Sequence, residues 1–165
     1  MPAAFTSLAR WSPTRPGALV VACSDGRLQQ CVDSFLEATL GITDYDRLLL
    51  PGGPGALVPG VSDFLRCEAH RGELAFLLRA HAVEQVVAIF HGPAAGGPAE
   101  AVCADYRRRH RLLDAGDIAR QQELDAVDLA RVARHLSGAR VSLFRAEVTR
   151  DARVAFVELF ERSSR

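Results

Sequence analysis

Short runs of apolar residues alternate with helical stripes along this chain. Residues 17–23 (G-A-L-V-V-A-C) form a continuous apolar stretch after Pro16, the pattern of a strand buried on both faces of a parallel sheet. Residues 28–40 carry apolar side chains at Leu28, Cys31, Val32, Phe35, Leu36 and Leu40 and stop at Gly41, which predicts a helix with a glycine end. Residues 45–50 predict a second strand, broken by P-G-G-P-G at 51–55, where two prolines and three glycines forbid regular structure. Ser62 and Asp63 can cap a helix running to about Ala82, and 84–90 (E-Q-V-V-A-I-F) predicts a third buried strand ending at His91. After a second glycine-rich loop at 92–97, Pro98 suits a first helical position. Helices are expected over 98–111 and 117–136, the second closed by Gly138. Residues 141–148 and 154–159 predict two further strands, the last an edge hairpin partner because Arg150, Asp151 and Arg153 surround it with charge.

Strands alternating with helices predict an α/β fold, a parallel central sheet flanked by helices with an antiparallel edge strand, in which ligands sit beyond the carboxyl ends of the strands. Cys23 ends the first strand and His91 the third. Right-handed crossovers make those strands neighbours and bring the two side chains together. The boundaries expected are an N-terminal arm over 1–16 and one domain over 17–165.

Composition narrows the function classes. Twenty basic and twenty acidic residues cancel, so no overall field favours nucleic acid or an anionic membrane surface, and neither partner is expected. Every basic residue is arginine, which removes Schiff-base chemistry and a phosphate-loop lysine. No stretch reaches the roughly 20 apolar residues of a spanning helix, and the first residues lack a signal-peptide pattern, so the expected location is cytoplasmic. Cys23, Cys31, Cys67 and Cys103 have no C-x-x-C spacing and are expected to be reduced thiols.

The chemistry concentrates in Cys23-Ser24-Asp25-Gly26-Arg27, a complete C-x-D-x-R motif, and in the strand V-V-A-I-F-H-G over 86–92. Together they resemble the metal site of the β-class carbonic anhydrases, a likeness running over roughly 17–160 and including V-S-L-F-R-A-E-V-T-R-D-A-R-V-A-F near the end. The resemblance implies zinc held by Cys23 and His91. It also implies a gating Asp25 that either binds the metal or turns to pair with Arg27, freeing a position for water. A bidentate Arg27–Asp25 pair suits that role because it fixes direction as well as charge. Bound water would then be acidified toward neutrality to attack a CO2-like substrate. Two departures stand out. The family's second cysteine, three residues after the histidine, is Ala94 here, and of its turn after the second strand only Gly53 clearly survives.

With the second thiolate absent, Asp25 is the nearest third ligand, giving a Cys23–Asp25–His91 set that leaves water a place but costs the gate. Cys103 is expected to lie too far along its helix to replace Ala94. Cys67 and His70, three apart on another helix, are a weaker metal pair. Ala94→Cys is expected to raise zinc affinity if the loop keeps the family's position. The alternative reading is a metal-free protein binding a small anion (bicarbonate, a carboxylate or a phosphate), with backbone N–H groups of the two glycine-rich loops and Arg27 as its contacts. The dense run Tyr106-Arg107-Arg108-Arg109-His110-Arg111 reads as a solvated helix end whose cations complement the helix dipole. Trp11 lies in a Pro-flanked arm, and because family members exchange N-terminal segments, a homodimer is expected.

Overall fold

A computed structural model describes residues 3–59 and 63–159. The apolar runs become the strands β1 (Ala18–Cys23), β2 (Asp46–Leu50) and β3 (Gln85–Pro93), followed by β4 (Arg140–Val148) and β5 (Val154–Glu158). The helices are α1 (Gln29–Leu40), α2 (Phe64–Ala80), α3 (Ala104–Arg109) and α4 (Ala115–Ser137). The strands make one sheet in the order β2-β1-β3-β4-β5. β1 pairs in parallel with both β2 and β3, β3 in parallel with β4, and β5 runs antiparallel to β4 at the edge. The α/β fold class and the antiparallel edge strand are as the hydrophobic pattern predicts, and β1 and β3 are neighbours.

Both faces of the sheet are covered at its centre, which is why β1 and most of β3 read as continuous apolar runs rather than alternating. Leu19 and Val21 of β1 with Val86, Ala88 and Phe90 of β3 pack with residues of α2 and α4 on one face. Val20, Ala22, Val87 and Ile89 meet Val32 and Leu36 of α1 on the other. Phe35 seals that second layer, stacking on Phe156 at 4.1 Å and meeting Phe144 edge-on.

Local signals set the helix ends. Gly41 takes a left-handed φ of 66° and its N–H bonds back to Glu37 and Leu36, a conformation that costs glycine little. Asp114 caps α4 by accepting from the Asp117 N–H at 2.8 Å. Asp63 stands at the N-cap of α2, but its carboxylate binds Arg108 at 2.7 Å instead of a helix N–H; Ser62 lies outside the described residues. β3 runs three residues past its expected end because β4 pairs with it through Pro93. Among the described residues no helix is long and apolar enough to cross a membrane.

The helix expected over 98–111 is the main correction. Only a single 3-10 turn forms over Ala99–Ala101, and Pro98, Val102 and Cys103 are extended, with ψ of 134°, 128° and 120°. α3 starts after that break. Its shortness leaves Cys103 at the N-cap position rather than in mid-helix.

Candidate metal centre

The centre lies beyond the carboxyl ends of β1 and β3. Cys23 is the last residue of β1, and the next turn closes on itself. The Leu28 N–H donates to the Asp25 carbonyl at 3.1 Å, and the Arg27 N–H to the Asp25 carboxylate at 3.1 Å. The Arg27 side chain then grips both oxygens of the same carboxylate, Nε to Oδ1 at 2.9 Å and Nη2 to Oδ2 at 2.6 Å. Its Nη2 also reaches the Glu100 carbonyl at 3.3 Å, tying the turn to the segment before α3. Gly53 (φ 56°) allows this arrangement. A Cβ there would stand 2.9 Å from the Cys23 backbone nitrogen.

His91 is only 4% exposed, and its Nε2 is buried with no hydrogen-bond partner. A buried imidazole nitrogen without a partner costs free energy unless something fills the gap. Two cysteine sulfurs lie close to the ring. The donor atoms of Cys23, His91 and Cys103 all lie within 4.8 Å of one another, and these three side chains can hold a metal ion.

The electrostatics follow from this proximity. The Cys103 thiol donates to Cys23, which together with His91 outweighs burial and lowers the Cys23 pKa to about 4; the same contact and burial push Cys103 up. The two thiols therefore titrate as a coupled pair that gives up its first proton more readily than an isolated thiol. Arg27 holds the Asp25 carboxyl at about 2, against desolvation. Beside the centre a pocket of about 210 Å³ is lined by Asp25, Arg27, Cys31, His91, Glu100 and Val148, among others.

The structure therefore brings Cys23, Asp25, Arg27 and His91 to one place. It corrects the expected exclusion of Cys103. The extended backbone at Val102 and Cys103 turns the chain back toward β1 and seats the thiol beside Cys23. Position 94, the first residue past β3, is tied to β4, the Ala94 N–H donating to the Val148 carbonyl at 2.9 Å. Both oxygens of Asp25, expected as a third ligand, are engaged by Arg27. No residue spacing announces Cys103. The one sequence signal is A-V-C, a fully buried apolar triplet inside a stretch otherwise patterned as helix.

The remaining motifs find other roles. Cys67 is buried, which raises its pKa, and neither it nor His70 belongs to a group of three metal-binding side chains among the described residues. The glycines of the two loops are explained by close packing. A Cβ on Gly55 would come 2.0 Å from the Tyr106 hydroxyl, and one on Gly97 2.2 Å from the Val148 carbonyl. In the arginine run, Arg109 lies over the Tyr106 ring at 4.3 Å and binds Asp105 at 2.8 Å, while Arg108 reaches Asp63 and Asp105. Three basic residues in the last turn of α3 suit its dipole.

Neither a family model nor a curated protein matches the chain. Among solved structures, it is similar to the β-carbonic anhydrase CafA of Aspergillus fumigatus, at 18% identity and a TM-score of 0.47, covering 90% of this chain and 78% of that one. A carbonic anhydrase from Glaciozyma antarctica gives 14% identity and a TM-score of 0.47, over 90% and 84% of the two chains. The apo form of a carbon disulfide hydrolase gives 14% and 0.47, over 87% and 79%.

Proposed function

We propose that this chain is a zinc-dependent hydratase of CO2 or a related small electrophile, with Cys23, His91 and Cys103 as ligands and Asp25 and Arg27 as its gate. The observation that carries the reading is the grouping of one donor atom each from Cys23, His91 and Cys103 within 4.8 Å of one another, at a buried histidine whose Nε2 has no hydrogen-bond partner. Three protein ligands of N and S type plus one free position is the donor set of a catalytic zinc site. Bound zinc supplies Lewis acidity, lowering the pKa of water toward about 7.

The chain's own groups do the rest. The Cys23–Cys103 pair gives up its first proton readily, and the second has to leave when both sulfurs engage as ligands. For Nε2 to bind, the ring proton of His91 resides on Nδ1. Asp25, ionised and turned to Arg27, stays clear of the ligand set, and Oδ2 keeps one lone pair to accept a hydrogen bond from a reacting group. The pocket beside it joins that polar edge to apolar walls from Leu28, Ala101 and Val148, suited to a small uncharged substrate.

The reading extends to assembly and place. Phe5, Leu8 and Trp11 are 82%, 100% and 86% exposed, and three large apolar side chains on an arm outside the fold favour a homodimer in which the arm docks on the partner. The four free cysteines suit a reducing, cytoplasmic setting. The test is CO2 hydration by zinc-loaded protein, followed with a pH indicator in stopped flow. The reading expects a rate well above the uncatalysed one, lost in Cys103→Ser and strongly reduced in Asp25→Asn. A zinc-loaded protein no faster than buffer refutes hydration of CO2.

A further inference from the structure

β1 accompanies β3 only as far as the pair Ala22 and Ile89, whereas β4 follows β3 through Pro93. His91 therefore sits on a strand end held from one side by the sheet. A buried polar chain secures it. Gln122 of α4, fully buried, donates from Nε2 to the His91 carbonyl at 2.9 Å. Its Oε1 accepts from Nε of Arg145 at 2.9 Å. Arg145, 6% exposed on β4, donates from Nη2 to the Pro93 carbonyl at 3.1 Å and from Nη1 to Glu147.

Each member fixes the next. Because the guanidinium occupies the amide oxygen of Gln122, the amide nitrogen has to face His91, so its orientation is determined by chemistry. The fork geometry of arginine lets one side chain grip Gln122, Pro93 and Glu147 at once, which a lysine cannot do. Gly92 leaves room for it, since a Cβ there would lie 2.7 Å from Arg145 Nη2. A guanidinium buried in the sheet is costly compared with an apolar residue of similar size, and it reaches residues 91–93 directly through the Pro93 carbonyl and indirectly through Gln122.

We infer that Gln122 and Arg145 are positioning residues of the metal centre, a buried clamp that fixes the backbone of residues 91–93 and so holds the His91 imidazole beside the sulfurs of Cys23 and Cys103. The inference rests on the proposed zinc site. It gives the site a rigid imidazole without help from position 94, and neither residue touches a ligand atom.

The test is zinc affinity, measured by competition with a chromophoric chelator, for the wild type and Gln122→Met, which keeps length while losing both bonds. Removing groups that orient a metal ligand typically weakens binding about 10- to 100-fold, and that loss is expected here. The visible bands of the cobalt(II)-loaded variant, which report ligand geometry, are expected to shift. Wild-type protein that binds zinc no better than Gln122→Met, with both binding tightly, overturns the clamp and spares the zinc site. So does a variant that only melts earlier without metal while its zinc affinity and cobalt spectrum are unchanged. Wild-type protein that binds no zinc removes the reading on which the clamp rests. Should Gln122→Met fail to fold, Arg145→Lys decides on the same measurements. Weakened zinc binding there supports the clamp, and wild-type affinity overturns it.

Discussion

Tyr106 connects the hydrophobic core to the candidate metal centre, and removing its hydroxyl has a calculable cost. The side chain is fully buried, one turn beyond Cys103, with the Arg107 N–H bonded to the Cys103 carbonyl at 3.0 Å. Burial holds the phenol well above its usual pKa, so it donates, and it donates to Asp125 Oδ2. Asp125 is 5% exposed, and its other described partner is Gln121 at 2.8 Å. Tyr106→Phe keeps the ring and its stacking under Arg109 but removes the hydroxyl that packs on Gly55, so the change tests chiefly the hydrogen bond to a buried carboxylate. Such a bond is worth about 1.5–3 kcal/mol. At about 2–4 °C per kcal/mol for a chain of this size, the midpoint should fall by ~3–12 °C. Thermal unfolding followed by far-UV circular dichroism measures it. In a double-mutant cycle, adding Asp125→Asn should cost less than it does in the wild type, because that partner is already lost. A Tyr106→Phe midpoint within about 1 °C of wild type, or strictly additive effects, would refute the assignment of the bond as a structural link between α3 and α4.

Two further outcomes follow from the centre. Arg27→Leu removes the hydrogen bonds that hold the Asp25 pKa low, so the carboxyl should titrate upward from about 2 toward its ordinary 3.8, as read by NMR. Because the folded value lies below the unfolded one, the pair's stabilisation is present above 3.8 and fades as pH falls toward 2. With Arg27 solvent-exposed, it is worth no more than about 1 kcal/mol. An Asp25 pKa unmoved by Arg27→Leu contradicts the pairing. Ala94→Cys should leave zinc affinity unchanged, since three donors are already assembled; a large gain in chelator competition would show that position 94 faces the metal instead.

The sheet was legible because burial on both faces writes itself as uninterrupted apolar runs, as in 17–23 and 84–90. From there the adjacency of β1 and β3 follows from crossover handedness, and with it the meeting of Cys23 and His91. The Asp25–Arg27 pair was legible because both residues sit in one tight turn. Cys103 was hidden for a tertiary reason. Local propensity after Pro98 favours helix, but Val102 and Cys103 are extended, and Ala101, Val102 and Cys103 are buried. Packing overrides propensity in that segment. Arg145 was hidden too. An arginine between Phe144 and Ala146 reads as a solvent-facing position, and only the approach of Gln122 from α4 makes its burial tolerable.

The central claim is that Cys103, not position 94, completes a zinc site with Cys23 and His91. The most direct measurement is the metal content of protein purified without chelator, by plasma mass spectrometry, for the wild type, Cys23→Ser and Cys103→Ser. The account predicts near-stoichiometric zinc in the wild type and a large loss in both variants. Zinc retained in full by Cys103→Ser, or absent from the wild type even after zinc is added back, would contradict it.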